Sequence, residues 1–427
     1  MMTQPYQRFT LAMLMMATII CTADKLIFAF AGPSIIRDLD LSPLEFGLAG
    51  SAFFFIYSIA GVAVGFLANR VQTKWILTGM SLIWAVSQFA VGFAGSLGTL
   101  IAARLLLGAG TGPATAVTQH AGFKWYAPNE RLGVSTMIHV SVIIGGLVAS
   151  AVLPLAVQHL GWRTSYLLLG LASVGWVGLW LPFGREGTVD AHASVDTSPK
   201  RSYRQTLLNK SFVMISLLGF IGGVPSVVGF SWLAVFLQEG VGLNSGQMSL
   251  YLVCLALTLM FVNLLVMAGS KRALRNGTSF QKAMVWPPLF AIMIGGAAYL
   301  GLRYVGGNMP MTLALYLIAS VASNLLPPFA FAIVAHLCGA SQRGAVLAIY
   351  NGIVTLAGIV TPGLIGYMIS DMGGDASAGF DQFFTLCGGM ALAVSILAFM
   401  VLDPEKTRKR LDLDCRMETT LRSPASS

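Results

Sequence analysis

The stretch FTLAMLMMATIICTADKLIFAFA spans Phe9–Ala31. Apart from the adjacent pair Asp24-Lys25 it is apolar or carries small side chains, and about 20 such residues are what a helix needs to cross the hydrocarbon of a bilayer. It is too long for the core of a signal peptide, and no small-residue cleavage pattern follows it. The same reading recurs at Gly47–Ala68, Trp75–Ala94, Leu97–Phe123, Gly133–Val157 and Thr164–Phe183. After a polar interval it returns at Phe212–Leu237, Met248–Ala268, Met284–Leu302, Pro310–Ala335, Ala345–Ser370 and Phe383–Leu402. Twelve membrane spans are therefore expected. Barrel strands would be segments of about ten residues with alternating polarity, which these runs are not.

The rest of the 427-residue chain agrees. It is 56% apolar and 10% charged, where soluble domains carry about a quarter charged residues, and its mean hydropathy is +0.76. So few charges cannot cover a water-facing surface, which excludes a soluble globular enzyme. The 47 glycines and 17 prolines are scattered, so collagen and disorder are excluded as well. Cys21, Cys254, Cys338, Cys387 and Cys415 stand mostly within apolar runs, without metal-ligand spacing or a disulfide framework. No metal and no cofactor is expected.

The net charge of +9 is a topology signal and not a nucleic-acid footprint. With the N-terminus placed in the cytoplasm, twenty-one of the 26 Lys and Arg fall on that side, including the basic tail. Only Arg37, Arg163 and Arg303 fall opposite, while Lys25 and Arg104 lie within spans. By the positive-inside rule both termini face the cytoplasm. The polar stretch 184–211 divides the spans six and six. The expected organisation is a six-helix bundle over 1–183, a cytoplasmic linker 184–211, a second bundle over 212–402 and a basic tail 403–427. Duplication of the halves has internal support. Arg131, His139 and Gly146 in the fifth span of the first half share their spacing with Arg343, Asn351 and Gly358 in that of the second.

Span two ends Gly65-Phe-Leu-Ala-Asn69-Arg70-Val-Gln-Thr-Lys74, which resembles the conformational loop motif of the major facilitator superfamily. Ala23-Asp24-Lys25, Tyr57, Arg104-Leu-Leu-Leu-Gly108 with Gly112-Pro113, Trp125-Tyr-Ala-Pro128-Asn-Glu130-Arg131, Gly161-Trp162-Arg163 and Arg343-Gly344 leading to Asn351, Gly358 and Pro362 narrow it. In that order they resemble the anion:cation symporter family, whose members include bacterial transporters for hexuronates, aldonates, phthalate and hydroxyphenylacetates. The resemblance implies an all-α membrane protein, with twelve transmembrane helices in two pseudo-symmetric bundles around a central cavity. It also implies substrate contacts at Tyr57, for which packing or an interface anchor is the alternative, and at Asn351, for which an interhelical hydrogen bond is the alternative. Three positions depart from the family pattern: Asn69 replaces an Asp, Lys25 replaces an Arg, and Thr111 replaces a proton-carrying Glu of many sugar-acid members.

No Gly-x4-Gly-Lys-Ser/Thr phosphate loop, His-Glu-x2-His zinc pair or Gly-x-Ser-x-Gly elbow is present. Gly108-x-Gly110-x-Gly112 follows a long apolar run and not a strand, so it reads as close helix packing rather than dinucleotide binding. Without an ATP site, uphill movement must draw on an ion gradient. Ionisable groups within lipid are costly and usually functional; here they are Asp24, Lys25, Arg104, His120 and His139. At 1.5 Å per residue, Asp24 and Arg104 lie at about the same depth, roughly 8–10 Å from the outer edge, so they can meet if spans one and four are neighbours. Ionised Asp24 with Lys25 and Arg104 leaves +1 in the membrane, which an anion neutralises. Protonation of Asp24 strengthens that pull, so proton and anion favour each other. A permanent Asp24 salt bridge is the structural alternative. His139 and His120 are the substitute proton carriers, or helix–helix hydrogen bonds. Trp232 reads as cavity lining or packing.

The expected protein is a secondary transporter, monomeric in the bacterial inner membrane, importing a small organic anion (a sugar acid or an aromatic carboxylate) with protons. A proton-coupled exporter of a drug or metabolite is the alternative, against which the net positive membrane charge counts. A receptor on the same fold lacks a segment large enough for signalling.

Overall fold

The computed structural model describes residues 4–67, 71–126, 130–187, 203–305, 307–338 and 342–411. Among them are twelve helices long and apolar enough to cross a membrane. They are α1 (Tyr6–Asp38), α2 (Pro43–Gly61), α3 (Thr73–Gly92), α4 (Leu97–Phe123), α5 (Gly133–Leu160) and α6 (Trp162–Phe183), then α7 (Lys210–Ser231), α8 (Ser245–Arg275), α9 (Gln281–Leu302), α10 (Met309–Leu337), α11 (Ala345–Asp371) and α12 (Ala376–Val401). Each expected run has its helix. The ends differ: α8 continues past Ala268 to Arg275, and α12 begins at Ala376 and not at Phe383. A helix satisfies its backbone internally and so persists beyond the hydrocarbon, carrying charges such as Arg272 into the interface. Prolines set the interruptions. α4 is broken at Gly112-Pro113 and α10 at Asn324-Leu325, just before Pro327-Pro328, because proline lacks the N–H and its ring crowds the carbonyl four residues back.

By contact the chain forms two compact units. The first comprises 1–193, 227–258 and 358–383. In it α1 packs on α5 and α6, α2 on α4, and α3 on α4 and α6. The α2–α4 contact is made by glycine: a Cβ on Gly108 would lie 2.3 Å from the Phe53 carbonyl oxygen, and one on Gly112 would lie 2.2 Å from that of Tyr57. Gly110 faces α3, where its Cβ would meet Trp84 at 2.9 Å. The glycine triplet is thus a packing surface, as its sequence context predicts. Buried Trp176 and Trp180 stack at 5.2 Å, and the Trp176 indole donates to the Met13 carbonyl at 2.9 Å.

At the end of this unit remote from the N-terminus, α2 meets α11. A Cβ on Gly47 would lie 2.3 Å from the Pro362 carbonyl oxygen, and one on Gly366 would lie 2.3 Å from that of Pro43. Trp232 follows α7 and is buried; its indole donates to the Pro362 carbonyl at 3.0 Å, so its role here is packing. At the same end Asp38 accepts from the Trp162 indole and the Arg163 guanidinium, each at 2.8 Å. This ties α1 to the start of α6 across the corner where Gly161 adopts φ +80°.

The second unit comprises 194–226, 259–357 and 384–427. Its core gathers Leu218, Leu289, Ile292, Leu326 and Ile333. Gly296 and Gly388 bring α9 and α12 together, each Cβ position lying 3.0 Å or less from the other's carbonyl oxygen.

Gly108→Ala and Gly112→Ala place a methyl against backbone, which cannot yield as a side chain can. Each is expected to cost about 1–3 kcal/mol or more, read as a lowered melting temperature of the purified protein. Gly175→Ala, with nothing within 4 Å of its Cβ, is the control and leaves melting unchanged.

Candidate functional site

On α1 the residues Leu14, Ala17, Cys21, Asp24, Phe28 and Ala31 are all buried. Their three-to-four spacing defines the inward face of a helix and puts Asp24 on it. Asp24 is fully buried and accepts a 2.6 Å hydrogen bond at Oδ1 from Nε2 of buried Gln88 on α3. Its Oδ2 and the Gln88 Oε1 have no hydrogen-bond partner among the described residues.

Arg104 belongs to the buried stripe Leu100, Arg104, Leu107, Thr111 of α4. Its guanidinium carbon lies 4.0 Å from the Phe28 ring centre and 4.5 Å from that of Phe53. The rings of α1 and α2 thus attract the cation through their π faces. None of Nε, Nη1 and Nη2 makes a hydrogen bond among the described residues, and neither does the hydroxyl of buried Tyr166 on α6. Tyr166 is in electrostatic reach of both Arg104 and Asp24. A buried charged donor set without acceptors is costly, and a planar fork with free edges suits the two oxygens of a carboxylate or sulfonate.

Asp24 and Arg104, expected at one level and within reach of each other, form no ion pair among the described residues. Gln88 takes the carboxylate, and Arg104 lies in the first half of α4, which packs mainly on α2 and α3, with its guanidinium on Phe28 and Phe53. Height follows from residue count, whereas the direction a side chain faces depends on which helices are neighbours.

Lys25 is one position on and therefore about 100° around the helix. It is half-buried, with Nζ 5.9 Å from the Phe230 ring centre and in electrostatic reach of Tyr57. Tyr57 is half-buried beside Phe53, ring centres 5.6 Å apart. Asp24, Lys25, Tyr57 and Arg104 are thus in one unit. Thr111 turns its hydroxyl back to the Leu107 carbonyl at 2.8 Å. His120 is half-buried and His139 exposed; Asn351 is an exposed residue of the second unit. Gln88 and Tyr166 lie outside the sequence expectations, which rest on side chains charged or titrating near neutral pH; a lone amide within an apolar span is the available signal for Gln88.

In the loop motif Gly65 lies on the helix ending α2, while Asn69 and Arg70 lie outside the described residues. Lys74 Nζ lies 5.6 Å from the Trp75 ring centre. The start of α3 is held by Glu186, just beyond α6. Its carboxylate accepts from the Thr73 backbone N–H at 3.2 Å, the Thr73 hydroxyl at 2.9 Å and the Lys74 N–H at 3.3 Å, and it pairs with Lys124. It serves as an N-cap that Gln72 does not provide, at the positive end of the helix dipole. The second unit repeats the device: Glu405, just beyond α12, accepts the Phe280 N–H before α9 at 3.1 Å. Burial opposes the charge on Glu186, but the bonds from Lys124 and Thr73 outweigh it and hold the carboxyl below its ordinary value of 4.5. A lowered folded value means the stabilisation is full above that ordinary value and is lost as pH falls through the lowered one. Glu186→Gln is expected to lower the melting temperature by several degrees at pH 7, with the two proteins converging in acid.

The family described as Major Facilitator Superfamily matches residues 13–300 and 281–414. A hexuronate transporter of Bacillus subtilis (strain 168) is 24% identical over 405 residues, 92% of this chain and 93% of that protein. A probable sulfoacetate transporter of Cupriavidus necator is 25% identical over 407 residues, 89% and 90% respectively. Among solved structures, a bacterial homologue of the human lysosomal transporter Spinster, inward-facing and occupied, matches with TM-score 0.79 at 17% identity over 94% of this chain and 98% of that one. A D-xylose–proton symporter matches with TM-score 0.75 at 13% identity over 93% and 99%.

Proposed function

The chain belongs to the Major Facilitator Superfamily; it is a multi-pass membrane transport protein and not an enzyme, and from that premise we propose that it imports a small organic anion together with protons. The observation that carries this reading is Arg104, a buried guanidinium stacked on Phe28 and Phe53 with no hydrogen-bond acceptor among the described residues. An anionic substrate supplies the acceptor. Lys25 and Tyr57 line the approach, and Asn351 contributes from the second half, within a two-bundle arrangement of 1–183 and 212–402 that alternates access. Asp24 carries the proton: with Lys25 next to it and Arg104 in the same unit, the site is +1 when Asp24 is ionised and +2 when it is protonated, so each ligand improves the other's binding. His139 and His120 are the secondary carriers. The hexuronate and sulfoacetate relatives favour sugar acids and small sulfonates as the first substrates to try.

The test is uptake of radiolabelled sugar acids, small sulfonates and aromatic carboxylates into proteoliposomes under an imposed pH difference. Accumulation of one of these anions that a protonophore abolishes is expected. Movement only of cations, or only outward against the proton gradient, overturns the proposal. We place the protein as a monomer in a bacterial inner membrane with both termini in the cytoplasm. A single cysteine at Ser194, in a chain otherwise free of cysteine, is expected to react with an impermeant maleimide only after permeabilisation. Labelling in intact cells reverses the orientation.

A further inference from the structure

We propose that Gln88 is the positioning residue for Asp24, and that the proton is held between the two, on Asp24 Oδ2 and shared with Gln88 Oε1. This rests on the reading of Asp24 as the proton carrier. The geometry supplies one half of a planar acid–amide pair: Gln88 Nε2 donates to Asp24 Oδ1 at 2.6 Å. The other half is vacant on both sides, since Asp24 Oδ2 and Gln88 Oε1 are buried without a partner among the described residues. An ionised carboxylate and an amide oxygen are both acceptors, so they cannot satisfy each other. Protonated Asp24 has one O–H to donate, and the amide oxygen is the acceptor attached to the same planar group. The terminal torsions of Gln and Asp are soft, so a small rotation aligns the pair. One proton arriving from water therefore closes a ring of two hydrogen bonds, and its departure to water opens one of them. The amide provides what a second carboxylate provides elsewhere, without a second charge. Thr111, whose hydroxyl is turned to Leu107, leaves the task to Gln88.

The charged and titratable groups in electrostatic reach of Asp24 are Cys21 and Lys25 on α1 itself and Tyr166 on α6; Tyr57 on α2 lies in reach of Lys25, and Arg104 on α4 in reach of Tyr166. After Lys74 at its start, α3 carries no ionisable group. The closed ring with Gln88 forms only with the acid, which alone has an O–H to donate.

Infrared difference spectroscopy of the full chain in vesicles, titrated with pH and without substrate, reads the pair directly. The protonated carboxyl C=O band that disappears in Asp24→Asn belongs to Asp24. In Gln88→Met that band is expected to shift to higher frequency, because two hydrogen bonds are lost. In the parent protein, isotopically labelled on glutamine, one side-chain amide C=O band is expected to move to lower frequency as Asp24 protonates, a change absent from Asp24→Asn. An unmoved Asp24 band in folded Gln88→Met, or glutamine amide bands indifferent to Asp24 protonation, overturns the proposal. The second measurement needs no substitution at Gln88, so it stands if that variant fails to fold. Neither needs a substrate. Sound spectra with no anion uptake would strike the transport reading and leave the pairing intact.

Discussion

Asp24→Asn is expected to exchange substrate between two filled compartments but never to accumulate it. Asparagine has nearly the shape of the protonated acid, and its amide can still accept from Gln88 Nε2 at Oδ1 and donate from Nδ2 to Gln88 Oε1. The site is left permanently at the charge that binds the anion best. Exchange needs only loaded transits, so it survives at a rate near that of the parent. Accumulation needs proton release on the far side, and the variant has no proton to release there. One pH unit across the membrane is worth about 1.4 kcal/mol, tenfold in concentration for one coupled proton. The parent is therefore expected to approach tenfold accumulation per unit, and Asp24→Asn to stay at a ratio of one. Parent-level, pH-driven accumulation by this variant transfers the carrier role to another group, with His139 and then His120 next in order.

Arg104→Ala is expected to fold, insert and lose substrate binding. The guanidinium hydrogen-bonds to nothing among the described residues, so its removal strips no protein acceptor. What is lost inside the protein is its stacking on Phe28 and Phe53, while a costly buried charge is lost as well. For the ligand the change is large. Removing one partner of a buried hydrogen-bonded charge pair costs about 2–5 kcal/mol, or roughly 30-fold to several thousand-fold in dissociation constant. Arg104→Lys keeps the charge but not the fork and is expected to fall between the two. Equilibrium binding on purified protein decides the matter; an unchanged affinity in Arg104→Ala removes the anion clamp from the mechanism.

The twelve spans were legible because a bilayer sets a length and a polarity that composition alone reveals. Their ends were not, since helices such as α8 and α12 run on past the hydrocarbon. Asp24 and Arg104 were legible as isolated charges in apolar runs, and their shared level followed from helical rise. Their separation was not legible, because it depends on Gln88 of α3 facing Asp24 and on Phe28 and Phe53 covering Arg104. The caps by Glu186 and Glu405 were hidden for another reason. Each carboxylate lies beyond a span end in a polar segment, over a hundred residues from the helix it holds, and no local pattern marks such a pair.

The contact between α2 and α11 is close and uncharged: Gly47 and Gly366 meet the Pro362 and Pro43 carbonyls, Gly50 the Pro362 ring and Gly358 the Phe54 ring, with a hydrogen bond from the Gly363 N–H to Ser51 Oγ. Attraction of this kind is short in range; a gap of about 0.5–1 Å already forfeits a quarter to a half of it. Such a closure has no stable half-open position, unlike one made of long charged side chains that stay attracted across several ångströms of water. In a transporter that alternates between two openings, this bears on leakage. On the proposed proton-coupled reading, a seam of this kind passes from sealed to parted with no lingering intermediate through which protons would run down the gradient uncoupled from cargo.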